Sequence, residues 1–439
     1  MTTIEMNAAL SAGRADDSGV LPKLDELKRA PVVFRQDFGL NSLPEEPGAI
    51  LIRGSRQYGK STWLQRMIEL TIRTFGGGTA FYLDGDEIRN QDDLLEQIRT
   101  LIPLFRVDAP VRRLFIDEIT AVNRWETVLK LLIDRGELRD VLVVTTGSHA
   151  GDLRRGSERL PGRKGRLSRS SYVFTPVAFP DFLEKAEGRL EHDDLVPAYI
   201  LSGGSPIACA ELLVGGRIPD YVNELVRDWV YGSFARAGRS RASLLGVLDC
   251  LFRFAGSPVG QSKLAREAGL ANNTIASEYI EALADLLSVG VSHPWDAHAA
   301  RPNRRRPAKF HFTNTLVASA WHPLRPRTPG DVRSMPRQRQ GELLEWAVAQ
   351  ELFRRAAIRG DDLPELLPHW SSKEHELDFV VGPDSFIEVK AGKTTPVEFA
   401  WFPRAVPNAR LTVVSESSYE TDRIRGMPMD EFLLHGEET

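Results

Sequence analysis

The apolar positions of the first two hundred residues fall into two alternating patterns. Short unbroken apolar runs occur at 49–52 (AILI), within 79–87 (TAFYLDGDE), at 114–116 within RRLFIDEIT, and at 141–148 (VLVVTTGS). Between them, apolar residues recur every three or four positions, around 91–105 and 124–137. Unbroken runs predict strands buried on both faces, and the 3.6-residue period predicts helices packed against them. Strands alternating with helices predict a parallel sheet covered on both sides.

The pattern changes further along. Residues 257–295 predict a helix over 261–268 ending at Gly269, then a second helix through Leu287, capped by Asn272 or Asn273. The second helix has its apolar face at Ile275, Tyr279, Ala282 and Leu286 or Leu287. The segment GVSHPW follows as a wing strand, so the reading is a winged helix-turn-helix. A long helix over 341–356 has an apolar face at Leu344, Ala347, Val348 and Leu352, bordered by Glu345. Two short strands with a turn between them are expected in ELDFVVGPDSFIEVKAG, residues 376–392.

Composition narrows the class. A chain of 439 residues is too long for one ordinary core, so two or three domains are expected. Apolar residues at 42% and charged residues at 26% fit a globular chain. A net charge of −4 confines nucleic-acid binding to local basic patches. Two cysteines, Cys209 and Cys250, exclude a disulfide scaffold and a four-cysteine zinc site, and fit a reducing cytoplasm. No run approaches the ~18 apolar residues of a membrane helix. The opening residues, with early acids and no apolar core, read as a loose polar tail over 1–24 rather than a signal peptide.

Six stretches carry chemistry. GSRQYGKST, after the first strand and before a helix, matches GxxxxGK[ST]. Gly54, Ser55, Gln57, Gly59, Lys60, Ser61 and Thr62 are the expected nucleotide-binding set. Backbone N–H groups cradle phosphates, Lys60 reaches the β- and γ-phosphates of ATP, and the Ser61 hydroxyl ligates Mg²⁺. Asp117, at the end of the strand 114–116, is the expected second Mg²⁺ ligand, and Glu118 the general base. Thr146 or Ser148 ends the neighbouring strand, as a γ-phosphate sensor or as an ordinary loop cap. The basic segment 154–171 is either a solvated loop or the source of an arginine, Arg163 or Arg166, that assists phosphoryl transfer.

The run RPNRRRPAK at 301–309 places Arg301, Arg304, Arg305, Arg306 and Lys309 at an expected wing tip that could follow the phosphate backbone of DNA. The acids Glu278, Glu281 and Asp285 on the preceding helix disfavour base reading, so a lid or protein contact is the alternative. Finally, Glu345, Asp378 and Glu388 present three acids from a helix and two strands, and Lys390 lies two residues beyond Glu388, on the same strand face. Acids holding Mg²⁺ beside a lysine that steadies developing charge suit phosphodiester cleavage. The alternative is a nuclease-like scaffold without activity.

Taken in order, GSRQYGKST, YLDGDE, LFIDEI, TTGSHA, GR before TPVAFPDFL, LSGGSP, GELLEWAVAQEL, HW with HELDFVV, and FIEVKAG resemble an archaeal and bacterial group of AAA-type ATPases. In that group a P-loop domain is joined to a winged helix and a C-terminal PD-(D/E)XK nuclease-like domain. The resemblance spans residues from about 30 to about 400 and implies ATP binding and hydrolysis. The group often carries a lysine, an aromatic and an aspartate after the winged helix; KFHFTNTLVA has Asn314 where the acid is expected, which puts a role for this strand in doubt. The resulting expectation is an α/β chain: a P-loop NTPase parallel sheet over 25–190, a helical lid and winged helix over 191–330, and an α/β restriction-nuclease-like domain over 335–439. A homo-oligomer or a protein partner is compatible with such an engine.

Overall fold

The computed structural model describes residues 1–148, 166–297, 299–361 and 364–435. The chain divides into two compact units, Met1–Thr175 with Ala357–Gly360, and Pro176–Ala356 with Asp361–Thr439.

The first unit is built on five parallel strands: β1 (Gly48–Gly54), β2 (Ala80–Asp84), β3 (Arg113–Asp117), β4 (Leu142–Gly147) and β5 (Ser171–Phe174). Their order is β2-β3-β4-β1-β5. The strands read as unbroken apolar runs because alternate side chains enter two different cores. On one face Ile50, Ile52, Phe115, Val144 and Phe174 pack against Leu64, Ile68 and Ile72 of the helix Lys60–Phe75. On the other, Leu51, Leu114, Ile116 and Val143 meet Leu94 and Ile98 of Gln91–Leu101, and Leu129 and Leu132 of Trp125–Asp134.

The opening residues differ from expectation. Instead of a loose tail, Thr3–Ser11 is a helix started by a capping box between Thr2 and Glu5. Met6 and Leu10 are buried in the first core. Asn7 explains the arrangement further. β2 is an edge strand, and the Asn7 side chain pairs with Tyr82 as another strand would. Its amide donates to the Tyr82 carbonyl (2.7 Å) and its oxygen accepts from the Tyr82 N–H (2.8 Å).

The second unit begins with helices, Phe179–Ala186 through Asp220–Arg236. Three more follow, Arg241–Arg253, Gln261–Glu267 and Asn273–Asp285, and then an antiparallel pair, β6 (Val289–Ser292) and β7 (Lys309–Phe312). Asn272 is the cap of the third helix, accepting from the Ile275 N–H at 3.0 Å. Its buried face runs through Ala276, Tyr279, Ile280 and Leu283, one position round from the expected stripe, and Ile275 and Ala282 are half-buried.

The free edge of β6 is tied to residues 365–369. The Val291 N–H donates to the Glu365 carbonyl (3.0 Å), and Val291 accepts from the Leu367 N–H (3.2 Å). The long helix Arg337–Arg359 then precedes a mixed sheet. Its strands are β8 (Phe379–Gly382), β9 (Ser385–Val389), β10 (Arg410–Val414), β11 (Tyr419–Glu420) and β12 (Ile424–Met427), in the order β8-β9-β10-β12-β11. β9, β10 and β12 run parallel; β8 and β11 are antiparallel edges. The C-terminal module is thus a second α/β structure. Among the described residues, no helix is long and apolar enough to cross a membrane.

Candidate functional site

Two groups of chemically competent side chains emerge, one in each unit. In the first, β4 lies between β1 and β3, so the ends of all three strands meet on one sheet edge. The carboxyl ends of parallel strands are where open α/β sheets bind ligands. The loop after β1 turns through left-handed backbone at Gln57 (φ 63°) and Gly59 (φ 99°), and the helix Lys60–Phe75 starts immediately after. Gly59 is needed because side chains rarely tolerate that conformation. Lys60 is buried, and its amine donates to the carbonyls of Gly54 (2.8 Å) and Ser55 (2.8 Å) and to the Ser148 hydroxyl (3.2 Å). Burial lowers its pKa against the opposing pull of Glu118 and Asp117. Ser61 and Thr62 follow on the first helical turn, half-buried.

Asp117 is buried at the end of β3 and accepts from the Thr146 hydroxyl on β4 and from the Glu118 N–H (3.1 Å). Glu118 adopts φ 44°, a left-handed conformation that costs a non-glycine residue about 1–3 kcal/mol. The turn swings its carboxylate towards β4, where it accepts from the Ser148 N–H (2.7 Å) and hydroxyl (2.9 Å). Ser148 therefore bridges Lys60 and Glu118, and Thr146 fixes Asp117. Asp84, opposite Asp117 in the β2–β3 register, is a residue that sequence reasoning missed as part of this group. Burial, with the charge of Asp117, pushes its carboxyl up to about 6. Acids crowded in this way suit a bound cation. Arg166 is exposed, and Arg163 lies outside the described residues.

The second group lies in the C-terminal module. Asp378 and Glu388 face each other across β8 and β9. The Asp378 N–H donates to Glu388 Oε2 (3.2 Å), and the Val389 N–H donates to Asp378 Oδ2 (2.9 Å). Lys390 pairs with Glu388. Glu345 reaches the same cavity, of about 710 Å³, from the helix Arg337–Arg359. Arg337, Glu342, Glu376 and Trp401 also line it. Burial, followed by the nearby Asp378, pushes Glu388 up to about 8 and holds Glu345 well above the carboxylate range. Glu345 Oε1 is buried without a hydrogen-bond donor, 3.3 Å from His311 Nδ1 but unaligned with it.

Lys309 overturns an expectation. It is 1% exposed, so it is not at a wing tip; it pairs with Glu376 and with Asp378 Oδ1 (3.4 Å). Arg301, Arg304, Arg305 and Arg306 are exposed, as expected. Lys309 and His311 are two apart on β7 and so share a face, which is directed at Asp378 and Glu345. The KFH spacing was the signal that could have found them. Asn314 has its own explanation, capping the helix Thr315–Trp321 by accepting from the Val317 N–H (3.2 Å).

The three carboxylates have the chemistry of a divalent-cation site. As placed, however, Asp378 and Glu388 are turned to lysines and backbone N–H groups. Among the described residues, no three His, Cys, Asp or Glu side chains are grouped as metal donors.

Residues 46–183 match the AAA domain family. No curated protein matches the chain. Among solved structures, the Walker-type ATPase PABY2304 of Pyrococcus abyssi is similar over 68% of this chain and 93% of its own, at 13% identity and a TM-score of 0.43. The Aeropyrum pernix ORC1 protein, solved in complex with DNA, is similar over 70% of this chain and 95% of its own, at 15% identity and a TM-score of 0.34. A RuvB variant of Thermotoga maritima covers 55% of this chain and 81% of its own, at 18% identity and a TM-score of 0.32.

Proposed function

We propose that the AAA domain binds and hydrolyses ATP and that its nucleotide state controls a nuclease-type site in the C-terminal module. The observation that carries the reading is the convergence of Glu345, Asp378, Glu388 and Lys390 on one cavity. The chain also has a P-loop lysine bridged through Ser148 to a strand-end glutamate. Mg²⁺ would supply charge neutralisation at the phosphates, held by Ser61 and Asp117. Lys60 would leave its carbonyl partners for the β- and γ-phosphates. Glu118 would orient the attacking water and accept its proton, with Ser148 holding the carboxylate in line. In the C-terminal cavity Glu345, Asp378 and Glu388 would hold a divalent ion, and Lys390 would stabilise charge developing on a scissile phosphate.

The β6–β7 pair with its three helices supports a winged helix, and its exposed Arg301, Arg304, Arg305 and Arg306 support phosphate-backbone contact. DNA is therefore the proposed polymer. The test is ATP turnover together with cleavage of labelled single- and double-stranded DNA in Mg²⁺ or Mn²⁺, with and without ATP. Lys60→Ala should abolish turnover. Asp378→Ala and Lys390→Ala should each abolish cleavage. Cleavage that survives both substitutions refutes the C-terminal assignment.

A second reading is favoured by the lysines on Asp378 and Glu388. In it the chain is an ATP-dependent switch, and the C-terminal module is an inactive nuclease-like scaffold. ATP turnover without cleavage of any substrate would select it.

A further inference from the structure

The acid cavity includes side chains from outside the mixed sheet. Strand β7 belongs to the hairpin after the helix Asn273–Asp285, yet it inserts Lys309 and His311 between Glu376, Asp378 and Glu345. A lysine 1% exposed has exchanged water for carboxylates, and such an exchange holds only while the partners stay close. The hairpin is held there by three independent ties. These are the Lys309 ion pairs, the backbone bonds between Val291 and residues 365 and 367, and the His311 ring packed 5.0 Å from the Phe379 ring.

We propose that Lys309 is a positioning residue that competes with a divalent cation for Asp378, so that the hairpin sets the cation affinity of the C-terminal site. This rests on the nuclease-type reading of that site. Asp378 Oδ2 is committed to the Val389 N–H, leaving Oδ1 as the oxygen that faces the cavity's cations. Lys309 occupies that oxygen. Glu376, the other partner, is half-exposed on the cavity rim and draws the ammonium away from Asp378. A cation binding Asp378 must displace Lys309 onto Glu376, and any ligand that shifts β7 changes how easily that happens.

The test is Mn²⁺ titration of the full chain without nucleotide, by calorimetry and electron paramagnetic resonance. Only binding abolished by Asp378→Ala is counted, which excludes the P-loop. Lys309→Met should tighten that binding by about tenfold or more, since a full charge no longer competes. It should also make the melting temperature rise more steeply with Mn²⁺ than in the wild type. Glu376→Gln, at a half-exposed position, should act in the opposite direction, because Lys309 then has Asp378 alone. It keeps the test decisive if Lys309→Met does not fold. Asp378-dependent binding of equal or lower affinity in Lys309→Met, or unchanged affinity in Glu376→Gln, overturns the proposal and leaves the nuclease-type reading standing. No Asp378-dependent binding in wild type or in Lys309→Met overturns both.

Discussion

Glu118 is the residue on which the proposed nucleotide site turns. Its backbone takes a conformation that glutamate avoids, and the carboxylate is then held by both polar groups of Ser148. Strain kept at one residue and offset by nearby hydrogen bonds is the usual arrangement where a side chain must be aimed. Glu118→Gln keeps the shape and removes the proposed base. ATP binding should be retained and turnover should fall by about a hundredfold or more, as for loss of a general base. Equilibrium binding and steady-state turnover on one preparation decide this, and loss of binding would assign Glu118 a structural role. Gly85 tests the same geometry from behind. A Cβ there would collide with the Glu118 carbonyl oxygen, so the β2 loop leaves room only for glycine. Gly85→Ala should displace Glu118, cutting turnover and costing about 1–3 kcal/mol of stability. A fully active, equally stable variant would mean that the loop yields without moving the glutamate.

Elements differ in how plainly the chain announces them. The first four strands were legible because burial on both faces leaves unbroken apolar runs, and the loop after β1 because phosphate binding demands glycine and lysine at fixed spacing. β5 was missed. SYVF spans four residues and directly follows a basic segment, so composition masks a strand whose pairing with β1 is decided by tertiary contact. The helix Thr3–Ser11 was missed because it is short and held by tertiary contacts, Met6 and Leu10 in the first core and Asn7 completing an edge strand. In the C-terminal cavity the strand acids and Lys390 could be read from spacing. Lys309 was misplaced because a basic run next to an exposed turn reads as solvated; its two-residue spacing from His311 was the one inward signal, and the β6–β7 register carries both inside. Asn314, which breaks the expected acidic pattern, has a local duty as a helix cap. Asn314→Ala should therefore cost about 1 kcal/mol, measured by urea denaturation, with ATP turnover unchanged. The exposed arginines make a separate prediction. Replacing Arg301, Arg304, Arg305 and Arg306 with glutamine should weaken DNA binding at low salt and flatten its dependence on salt concentration by up to about four units of slope. An unchanged slope would assign the hairpin to a protein contact.

For the molecule as a whole, the second unit links stability to pH through groups that oppose each other. His322 is buried, its ring edge-on to Phe252 at 5.6 Å, with Nδ1 accepting from the Leu324 N–H (3.1 Å). Burial, aided by the charge of Arg339, lowers it to about 4. Burial and the charge of Lys309 lower His369 to about 4 as well. An unfolded histidine takes up a proton near pH 6.5, which the folded form resists. Stability contributed by these neutral rings is thus present above about pH 6.5 and lost as pH falls towards 4. Glu388, raised to about 8, acts in the opposite sense: its carboxyl is protonated in the folded form, and that contribution is lost as pH rises through the interval up to about 8. The two effects overlap, so the pH profile of the wild type alone assigns neither. A difference measurement separates them. His322→Asn keeps a side-chain acceptor for Leu324 and cannot take up the proton. The stability difference between wild type and His322→Asn should be constant above pH 7. It should then shift against the wild type as pH falls from 6.5 to 5, by at most about 1.4 kcal/mol per pH unit for one proton. Denaturant unfolding across that range, on both proteins, reads the shift directly. A difference that stays flat to pH 5 would mean that the His322 ring is protonated as readily in the fold as in the unfolded chain, and that Arg339 and Phe252 do not hold it neutral.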